Sequence, residues 1–277
     1  MKTKLVCAIV TTFHPEQNFQ SNIVSLLSQV ELVIVVDDSG YEKTPVNIFD
    51  SNDIVYLVNK ENVGIAASLN IGIEYAKKLG FEYILTLDDD SILSENYVHK
   101  LYSFLIENRH VALVNGDYGS NHININPIER RVVITSGSLF SYASFKEIGG
   151  FDELLFIDCV DFDFCIRLRN KGGKIISLPN VVFEHKIGES THQPSRIKFL
   201  STHNHSPFRI YYQTRNSIYF FKKHFFSHPL YCIFVLKTIF SLPLKIVLLD
   251  SNKGTKLKFY LIGMIDAMLG RWGKIRG

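Results

Sequence analysis

Apolar and polar positions along the first ninety residues follow a repeating order of buried strand, amphipathic helix and buried strand. Apolar residues recur at helical spacing from Phe19 to Val30 and again from Ile65 to Leu79, where Gly80 closes the second helix. Short continuous apolar runs, typical of strands buried on both faces of a parallel sheet, occupy residues 5–11, 32–36, 54–58 and 83–87. This alternation predicts a doubly wound, mostly parallel α/β sheet.

The pattern becomes mixed beyond residue 95. It predicts a helix over residues 97–107 and a strand over residues 111–115, followed by shorter segments up to residue 141. Further on, a strand-like run from Lys174 to Leu178 ends at a turn formed by Pro179-Asn180. The sequence shows no internal repeat and no low-complexity segment.

Polar clusters follow three of the predicted strands. They are Thr11-Thr12-Phe13, Asp37-Asp38 and Asp88-Asp89-Asp90. In open α/β sheets, ligands bind beyond the carboxyl ends of the strands, where all three clusters are expected to lie. The sequence contains neither G-x-G-x-x-G after the first strand nor a P-loop. A metal ion is therefore expected to neutralise the phosphates of a ligand.

The size of the chain and its cysteines narrow the setting. The 277 residues, 46% of them hydrophobic, suffice for one large α/β domain with a smaller appendage. The four cysteines form no C-x-x-C pair and lie largely within apolar runs, which suits reduced core thiols in the cytoplasm. Residues 1–4 lead directly into the first strand, so no signal peptide is expected.

The net charge of +3 hides an asymmetry. Residues 1–185 hold 15 Lys and Arg against 24 Asp and Glu, whereas residues 186–277 hold 15 against 3. A nucleic acid or the anionic cytoplasmic leaflet could attract such a basic tail, and the long apolar stretches between its charges favour the membrane. No nucleic-acid partner is expected.

The apolar segment 230–249 is long enough to cross a bilayer, since about 20 apolar residues suffice. Lys237 and Lys245 lie on one helix face together with Ser241, and Pro243 is expected to kink or break the helix. These features indicate a helix that lies on the inner leaflet without spanning it. The alternative is that the segment packs on the catalytic domain or on a partner subunit.

The acidic triplet Asp88-Asp89-Asp90 favours a hard cation such as Mg²⁺ or Mn²⁺, because neighbouring carboxylates repel one another and bind such ions through oxygen. An acidic turn that caps the following helix is the alternative. By itself, Asp37-Asp38 reads as an ordinary Asx turn. Paired with the triplet, it is a candidate contact to a nucleotide base or ribose.

A second group of acids lies between residues 151 and 169. Asp158, Asp161 and Asp163 alternate with large apolar residues, and the partial desolvation that this implies would raise a carboxylate's pKa and make it a better base. Asp161 is expected at the start of a helix, whose dipole opposes that rise. Alternatively, Arg167 and Arg169 pair with these acids in a structural network.

Four motifs, in order and spacing, resemble glycosyltransferase family 2, whose catalytic domains have the GT-A fold. They are Thr11-Thr12-Phe13, Val36-Asp37-Asp38-Ser39, Asn62-Val63-Gly64 with Asn70-Ile71-Gly72, and Leu87-Asp88-Asp89-Asp90-Ser91. Later segments resemble the rhamnosyltransferase branch, with galactofuranosyltransferases as near neighbours: Thr135 to Leu139, Ile148 to Glu153, Phe156 to Asp161, Glu184 to Gly188 and Ser206 to Asn216.

The resemblance covers about residues 5–225 and implies a role for individual residues. Asp161 matches the general base; Val160 occupies the place of a preceding acid, whose role is missing or is taken by Asp158. Asp158, Asp163 and Arg167 are candidate acceptor-site or supporting residues. The implied metal ligands are Asp88, Asp90 and His185, which is otherwise a lone histidine of the kind that is more often structural. The implied nucleotide-sugar contacts are Thr11, Phe13, Asp37, Asp38, Asn62, Gly64, Asp88 and Asp89.

The resemblance implies an inverting transfer of a sugar, rhamnose from dTDP-rhamnose being expected, from a nucleoside-diphosphate donor. The acceptor is expected to be a glycan or a polyprenyl-diphosphate-linked precursor, and the cofactor Mn²⁺ or Mg²⁺. The expected GT-A-type domain covers residues 1–225, with a nucleotide-sugar part over about 1–115 and an acceptor part over 116–225. Residues 226–277 form a basic helical extension near the membrane, and a homo-oligomer is left open.

Competing functions remain at this stage. They are a galactofuranosyl- or other hexosyltransferase that uses a UDP-sugar, and a non-catalytic nucleotide-sugar-binding or membrane-docking subunit. A nucleotidyltransferase would also use a wound sheet and a carboxylate-bound metal, but it needs a Gly-rich, basic loop after the first strand. His14-Pro15-Glu16 is not such a loop.

Overall fold

The computed structural model describes residues 3–15, 19–41, 51–118, 126–185 and 204–275. The chain packs into two compact units, the first formed by Met1–Asp152 with Asp161–His185 and the second by Glu153–Val160 with Lys186–Gly277. These units rest on packing alone. The functional division expected at residue 225 stays a prediction.

The first unit is built on a nine-stranded sheet in the order β3-β2-β1-β4-β8-β6-β9-β5, with β7 paired to β9. Strands β1 to β4 are mutually parallel where they pair, whereas β8 is antiparallel to both β4 and β6. The strands are β1 (Thr3–Thr12), β2 (Val30–Asp37), β3 (Ile54–Val58), β4 (Tyr83–Asp88), β5 (Ser91–Leu93), β6 (Val111–Tyr118), β7 (Ile128–Glu129), β8 (Ser138–Ser141) and β9 (Lys174–His185).

Helices cover both faces of this sheet, which explains the continuous apolar runs. Along β1, the consecutive residues Val6, Cys7, Ala8 and Ile9 point alternately to the two faces of the sheet. All four are fully buried, so both faces of the strand are packed. The helices of the first unit are α1 (Phe19–Leu26), α2 (Ile65–Lys78), α3 (Tyr97–Glu107), α4 (Tyr142–Glu147) and α5 (Val160–Asn170).

Two expected strand ends differ from the structure by three residues or more. Strand β6 continues three residues past the expected end at Asn115, to Tyr118. The turn expected at Pro179-Asn180 is wrong, because β9 runs on to His185. Its register with β6 jumps there, from Gly116 opposite Leu178 to Asp117 opposite Val182. Such an irregularity accommodates a proline, which has no N–H to donate to a regular ladder.

Over the residues that the structure describes, the second unit contains three α-helices, α6 (Pro207–His224), α7 (Pro229–Leu249) and α8 (Lys253–Met268). Ile210 of α6, Ile239 and Ile246 of α7 and Tyr260 of α8 form a common apolar cluster. Pro243 does not end α7, so the helix is not broken there as the sequence had suggested it could be. By length and composition alone, α7 could cross a membrane, which is weak evidence for a span.

Helix α7 also carries a stripe of exposed apolar side chains. Large apolar residues between 41% and 97% exposed occur throughout the described part of the second unit. Those on α7 share one helix face and recur mostly three or four positions apart, with the exposed Lys237 between Phe234 and Phe240. We call this set the α7 stripe: Leu230, Ile233, Phe234, Phe240, Leu244, Val247 and Leu248. The opposite face, with Cys232, Val235, Ile239 and Ile246, is buried.

Candidate nucleotide-sugar site

The three polar clusters meet at one edge of the sheet in the first unit. In the parallel pairing of β1 with its two neighbours, Thr12 lies opposite Asp37 and Thr11 lies opposite Asp88. The carboxyl ends of β2, β1 and β4 therefore bring the clusters side by side, as the predicted topology required.

Asp37 is fully buried at this edge. Its Oδ1 accepts a hydrogen bond from the backbone N–H of Ser39 at 2.8 Å, and its Oδ2 accepts one from the Tyr56 hydroxyl at 2.6 Å. Burial, the hydrogen bond to Asp37, and the charges of Asp37 and Asp89 raise the pKa of Tyr56 well above its ordinary value. Tyr56 therefore stays protonated and donates to Asp37, a role that its place in an apolar strand did not reveal.

Asp38 organises the loop that precedes α2. Its carboxylate accepts hydrogen bonds from the backbone N–H groups of Val63 and Gly64 and from the side chain of Asn59, all at 2.8 Å. The Asn62 side chain also accepts from the N–H of Gly64, at 3.1 Å. Asp38 thus fixes the conformation of the loop that contains Asn62 and Gly64.

The acidic triplet consists of the last residue of β4, Asp88, and the two-residue connection to β5, and its three residues are partly buried. The Thr12 hydroxyl donates to the Asp89 carboxylate at 2.5 Å, and the Asn22 side chain donates to the Asp89 carbonyl at 3.2 Å. The Ser136 hydroxyl accepts from the backbone N–H of Asp88 at 3.1 Å. The triplet is therefore anchored through Asp89 and through its backbone.

Strand pairing brings the backbone of His185 to the triplet. Strand β9 ends at His185, which lies opposite Ser91 in the antiparallel ladder with β5. Ser91 directly follows Asp90. The side chain of His185 is outside the described part of the structure. Among the side chains that are described, no group of three or more His, Cys, Asp or Glu could hold a metal ion by itself.

Asp161 lies in the first turn of α5, as expected, and is partly buried. Its Oδ1 accepts from the backbone N–H of Phe162 at 2.9 Å. Burial is the main cause that raises the pKa of Tyr118, at the end of β6. The negative charge of Asp161 raises this pKa further. The carboxylate therefore lies near the carboxyl end of β6, and Tyr118 is a neighbour that the sequence did not predict.

Asp163, also in the first turn of α5, forms an ion pair with Arg167, which lies one turn further along the helix. The Arg167 Nε lies 2.7 Å from the Asp163 carboxylate, which is 1% exposed, and its Nη1 donates to the carbonyl of Ile148 at 2.7 Å. For these two residues, the structure shows the pairing that the sequence left open.

Asp158 belongs to the second unit. Arg209 of α6 lies 3.3 Å from its carboxylate. Burial raises the pKa of Asp158, and the charge and hydrogen bonds of Arg209 oppose that rise. Phe156, Asp158 and Cys159 all have φ between 63° and 64°, the left-handed region that non-glycine residues rarely adopt.

Two fully buried side chains of α6 hold this left-handed loop. Asn216 donates to the carbonyls of Leu155 and Ile157, each at 2.5 Å, while Arg215 donates to the carbonyl of Leu154 at 3.2 Å. The sequence analysis included Arg215 and Asn216 in a segment of family resemblance but predicted no role for them. Polar residues between the apolar side chains of this helix could have indicated a buried polar contact.

Thr11 in β1 and Phe13 just after the strand, both expected to contact a nucleotide, have opposite environments. Thr11 is 9% exposed, whereas the Phe13 ring is 52% exposed and packs against the His14 ring, with 4.2 Å between their centroids. An exposed aromatic face at the edge of a nucleotide site offers a surface for base stacking.

Comparison with known proteins identifies the family. A profile of glycosyl transferase family 2 matches residues 7–170, more than half of the chain. The chain belongs to glycosyl transferase family 2. A dTDP-rhamnosyl transferase of Shigella flexneri, RfbF, is 28% identical over 292 residues, covering 97% of each chain. An uncharacterized glycosyltransferase of Methanocaldococcus jannaschii is 23% identical over 283 residues, covering 91% of this chain and 96% of its own.

These matches confirm a glycosyltransferase that resembles the rhamnosyltransferases. A solved structure of GalNAc-T7 with UDP, GalNAc and Mn²⁺ has a similar fold, with a TM-score of 0.58 and 13% identity over 65% of this chain. The match spans 43% of that longer protein, and at such low identity the likeness concerns the fold alone. It confirms the expected GT-A-type architecture.

Proposed function

We propose that this family 2 glycosyltransferase transfers rhamnose from dTDP-rhamnose to a hydroxyl of a cell-surface polysaccharide or a lipid-linked oligosaccharide precursor, with inversion at the anomeric carbon. The observation that carries the proposal is the meeting of Asp37, Asp88 and the Thr11-Thr12 pair at one sheet edge. The choice of donor rests on the similarity to the dTDP-rhamnosyl transferase over 97% of the chain.

The nucleotide would lie along the carboxyl ends of β1 and β2. The loop that Asp38 fixes would accept hydrogen bonds from the base or ribose, and the Phe13 ring would cover the base. Asp37, which is fully buried, would support this edge through its bonds to Ser39 and Tyr56. Asn62, Gly64 and Asp89 border the same edge. Hydrogen bonds from Tyr56 to Asp37, and from the loop to Asp38, hold this edge in place before the nucleotide sugar binds. Binding therefore costs little conformational entropy.

The donor set at the acidic triplet fits a divalent cation. Asp88 and Asp90 offer hard oxygen ligands at the end of a buried strand, and Mg²⁺ or Mn²⁺ commonly combines one or two carboxylates with diphosphate oxygens and water. Asp88, Asp90 and His185 would hold the ion. When bound, it neutralises the charge that develops on the departing diphosphate.

Asp161 would act as the general base. It takes the proton from the acceptor hydroxyl as that oxygen attacks the anomeric carbon and the bond from that carbon to the diphosphate oxygen breaks. The incoming oxygen attacks opposite the leaving group, so the configuration inverts and no covalent sugar-enzyme intermediate forms. Asp163 is excluded from this role by its ion pair with Arg167 and supports α5 instead.

A UDP-hexose is the second candidate donor. The similar fold of a protein whose structure contains UDP, GalNAc and Mn²⁺ supports this candidate. Release of nucleoside diphosphate from a panel containing dTDP-rhamnose and UDP-hexoses, measured with Mn²⁺ or Mg²⁺ in turn, would discriminate between the two donors.

Metal dependence is tested through the affinity of the enzyme for the donor. We expect EDTA and the Asp90→Ala substitution each to abolish donor binding. Both would leave the site without the divalent cation whose charge balances the diphosphate. Isothermal titration of the donor measures this, and circular dichroism checks that the variant is folded. Unchanged donor affinity of EDTA-treated wild type would contradict the proposed metal site.

We further propose that the enzyme works in the cytoplasm at the inner face of the cell membrane. The α7 stripe is an apolar surface too regular to arise from singly scattered exposed residues. Lys237 lies on the same helix face as the α7 stripe, between Phe234 and Phe240. The region after residue 185 is strongly basic. An apolar helix face with basic neighbours suits the interface of an anionic bilayer, where a lipid-linked acceptor is held.

A further inference from the structure

A cavity of about 360 Å³ lies in the first unit, beside the residues assigned to proton transfer. Its size falls within the range of about 300–1,000 Å³ that is usual for small-molecule sites. The lining comes from the end of β6, the segment after β7, β9 and the start of α5: Asn115, Gly116, Asp117, Tyr118, Arg130, Val132, Val133, Ile134, Phe162 and Ser177.

The sheet register places this cavity level with the acidic triplet. Thr86 of β4 and Asn115 of β6 both lie opposite Ser138 of β8, so the three residues form one row across the sheet. Because β4 and β6 run in the same direction, Asp88 and Asp117, each two residues further on, are also level and on the same face. Two strand spacings, about 10 Å, separate them.

The walls of the cavity are fixed by bonds that need no ligand. The Ser138 hydroxyl donates to the Ile134 carbonyl at 2.7 Å, and the Cys165 thiol donates to the Val133 carbonyl at 3.6 Å. The backbone N–H of Arg130 donates to the Ile175 carbonyl at 2.9 Å. The cavity is therefore preformed in the described part of the chain.

The chemistry of the lining suits a sugar ring. Tyr118 and Phe162 provide aromatic surfaces, which pack against the C–H faces of a sugar, and Asp117 and Arg130 supply a hydrogen-bond acceptor and a donor. The charges of Asp161, Asp117 and Arg130 all act on the Tyr118 hydroxyl, so these groups lie close together. Two carboxylates against one guanidinium disfavour an anion, which favours a neutral sugar over a phosphate or a uronate.

We propose that this cavity binds the terminal neutral sugar of the acceptor, with Asp117 and Arg130 selecting which hydroxyl faces Asp161. The inference rests on the proposed function, because it needs Asp161 to be the base. Phe162, which directly follows Asp161, lines the cavity, so an occupant would lie next to that carboxylate. The nucleotide edge at β1 and β2 lies on the other side of β4.

The test compares two neighbouring arginines in the intact enzyme. Arg130 lines the cavity, whereas Arg131 is exposed and does not. With dTDP-rhamnose as donor and a panel of p-nitrophenyl pyranosides as acceptors, we expect Arg130→Gln to raise the acceptor KM at least tenfold more than the donor KM. Arg131→Gln should leave both constants unchanged. Val132→Phe, which narrows the cavity, should change the KM values as Arg130→Gln does.

Each other outcome has a separate meaning. If Arg130→Gln and Val132→Phe keep the wild-type acceptor KM, or if they raise both KM values equally, the cavity is not the acceptor site. If the wild type hydrolyses the donor but no pyranoside increases turnover, the cavity does not bind a single neutral sugar. If the wild type releases no nucleoside diphosphate from any donor in the panel, the proposed function itself fails.

Discussion

The aspartates of this enzyme differ in the partners that surround them, and those partners decide what each carboxylate can do. Asp38 accepts three hydrogen bonds from one loop, and Asp163 is paired with Arg167, so both stabilise local structure. Asp161 lies at the start of α5 beside Tyr118. Residue type alone does not separate these roles, because all three residues are aspartates.

Asp161→Asn tests the assignment of the base. We expect the variant to bind the donor normally yet to transfer sugar roughly a hundredfold more slowly or worse, since an amide cannot take the acceptor's proton. Titration of the donor and steady-state transfer rates measure the two effects. Asp163→Asn is the control, which should lower the melting temperature through loss of its ion pair. A wild-type transfer rate in Asp161→Asn would move the base elsewhere.

Asp158 predicts a pH effect on stability. Burial raises its pKa in the folded state, so the protonated form favours folding, and this contribution is present at low pH and lost as the pH rises through the raised pKa. Asp158→Asn lacks this titration. We therefore expect the variant to gain melting temperature relative to wild type as the pH increases from about 4 towards neutrality. A difference that stays constant with pH would show that Arg209 cancels the burial effect.

At the scale of elements, α2 lies so close to the sheet that a side chain has no room at Gly72. A Cβ there would lie 2.5 Å from Ile9 Cγ2 and 3.0 Å from Val36 Cγ2. This contact brings α2, and with it the loop that Asp38 anchors, against the strands that end at the nucleotide edge. The position therefore links helix packing to the geometry of the site.

We expect Gly72→Ala to lower the free energy of unfolding by about 1–3 kcal/mol, the usual range for overpacking in a core. Gly254→Ala is the matched control, because it also lies in a helix and a Cβ there meets nothing within 4 Å. That change should be neutral or stabilising by up to about 1 kcal/mol. Denaturant unfolding of both variants makes the comparison, and equal stabilities would refute the close packing of α2.

The left-handed loop that precedes α5 depends on a different element. Its backbone conformation is costly at Phe156, Asp158 and Cys159, and the carbonyls around them are met by Arg215 and Asn216 of α6. Buried polar side chains persist where backbone groups need partners. Within the second unit, α6 is therefore a support for the loop as well as a core helix.

On the scale of the whole molecule, the proposed location of the enzyme at the membrane rests on the apolar surface of the second unit. We expect the protein to bind vesicles of phosphatidylethanolamine with phosphatidylglycerol and to bind less well in high salt, because its lysines attract anionic lipid. Phe234→Asp with Phe240→Asp should abolish attachment by placing charge in the α7 stripe. Vesicle sedimentation measures binding.

A control lies in the other unit. Val24 of α1 is 58% exposed, and Val24→Asp should leave vesicle binding unchanged. Truncation after Phe226 should remove binding as the double substitution does. Binding that is indifferent to lipid charge would contradict docking and favour the alternative that α7 packs on a partner protein.

The sequence by itself determined the order of elements and the edge of the sheet where the polar clusters meet. Strand β3 and helix α3 have the predicted bounds, and Asp161 lies at a helix start as expected. These features depend on local periodicity and on the direction of strands, which apolar runs and their polar ends encode directly. Family motifs then supplied the reaction class, because their order and spacing are specific.

Only the tertiary structure decided which residues face one another. The sequence could not show that Tyr56 holds Asp37, that Asp163 pairs with Arg167, or that α6 supports the loop around Asp158. It ended β6 too early and so missed Asp117, level with Asp88 across two strands. Register, burial and charge pairing depend on residues far apart in the chain, and periodicity carries no information about them.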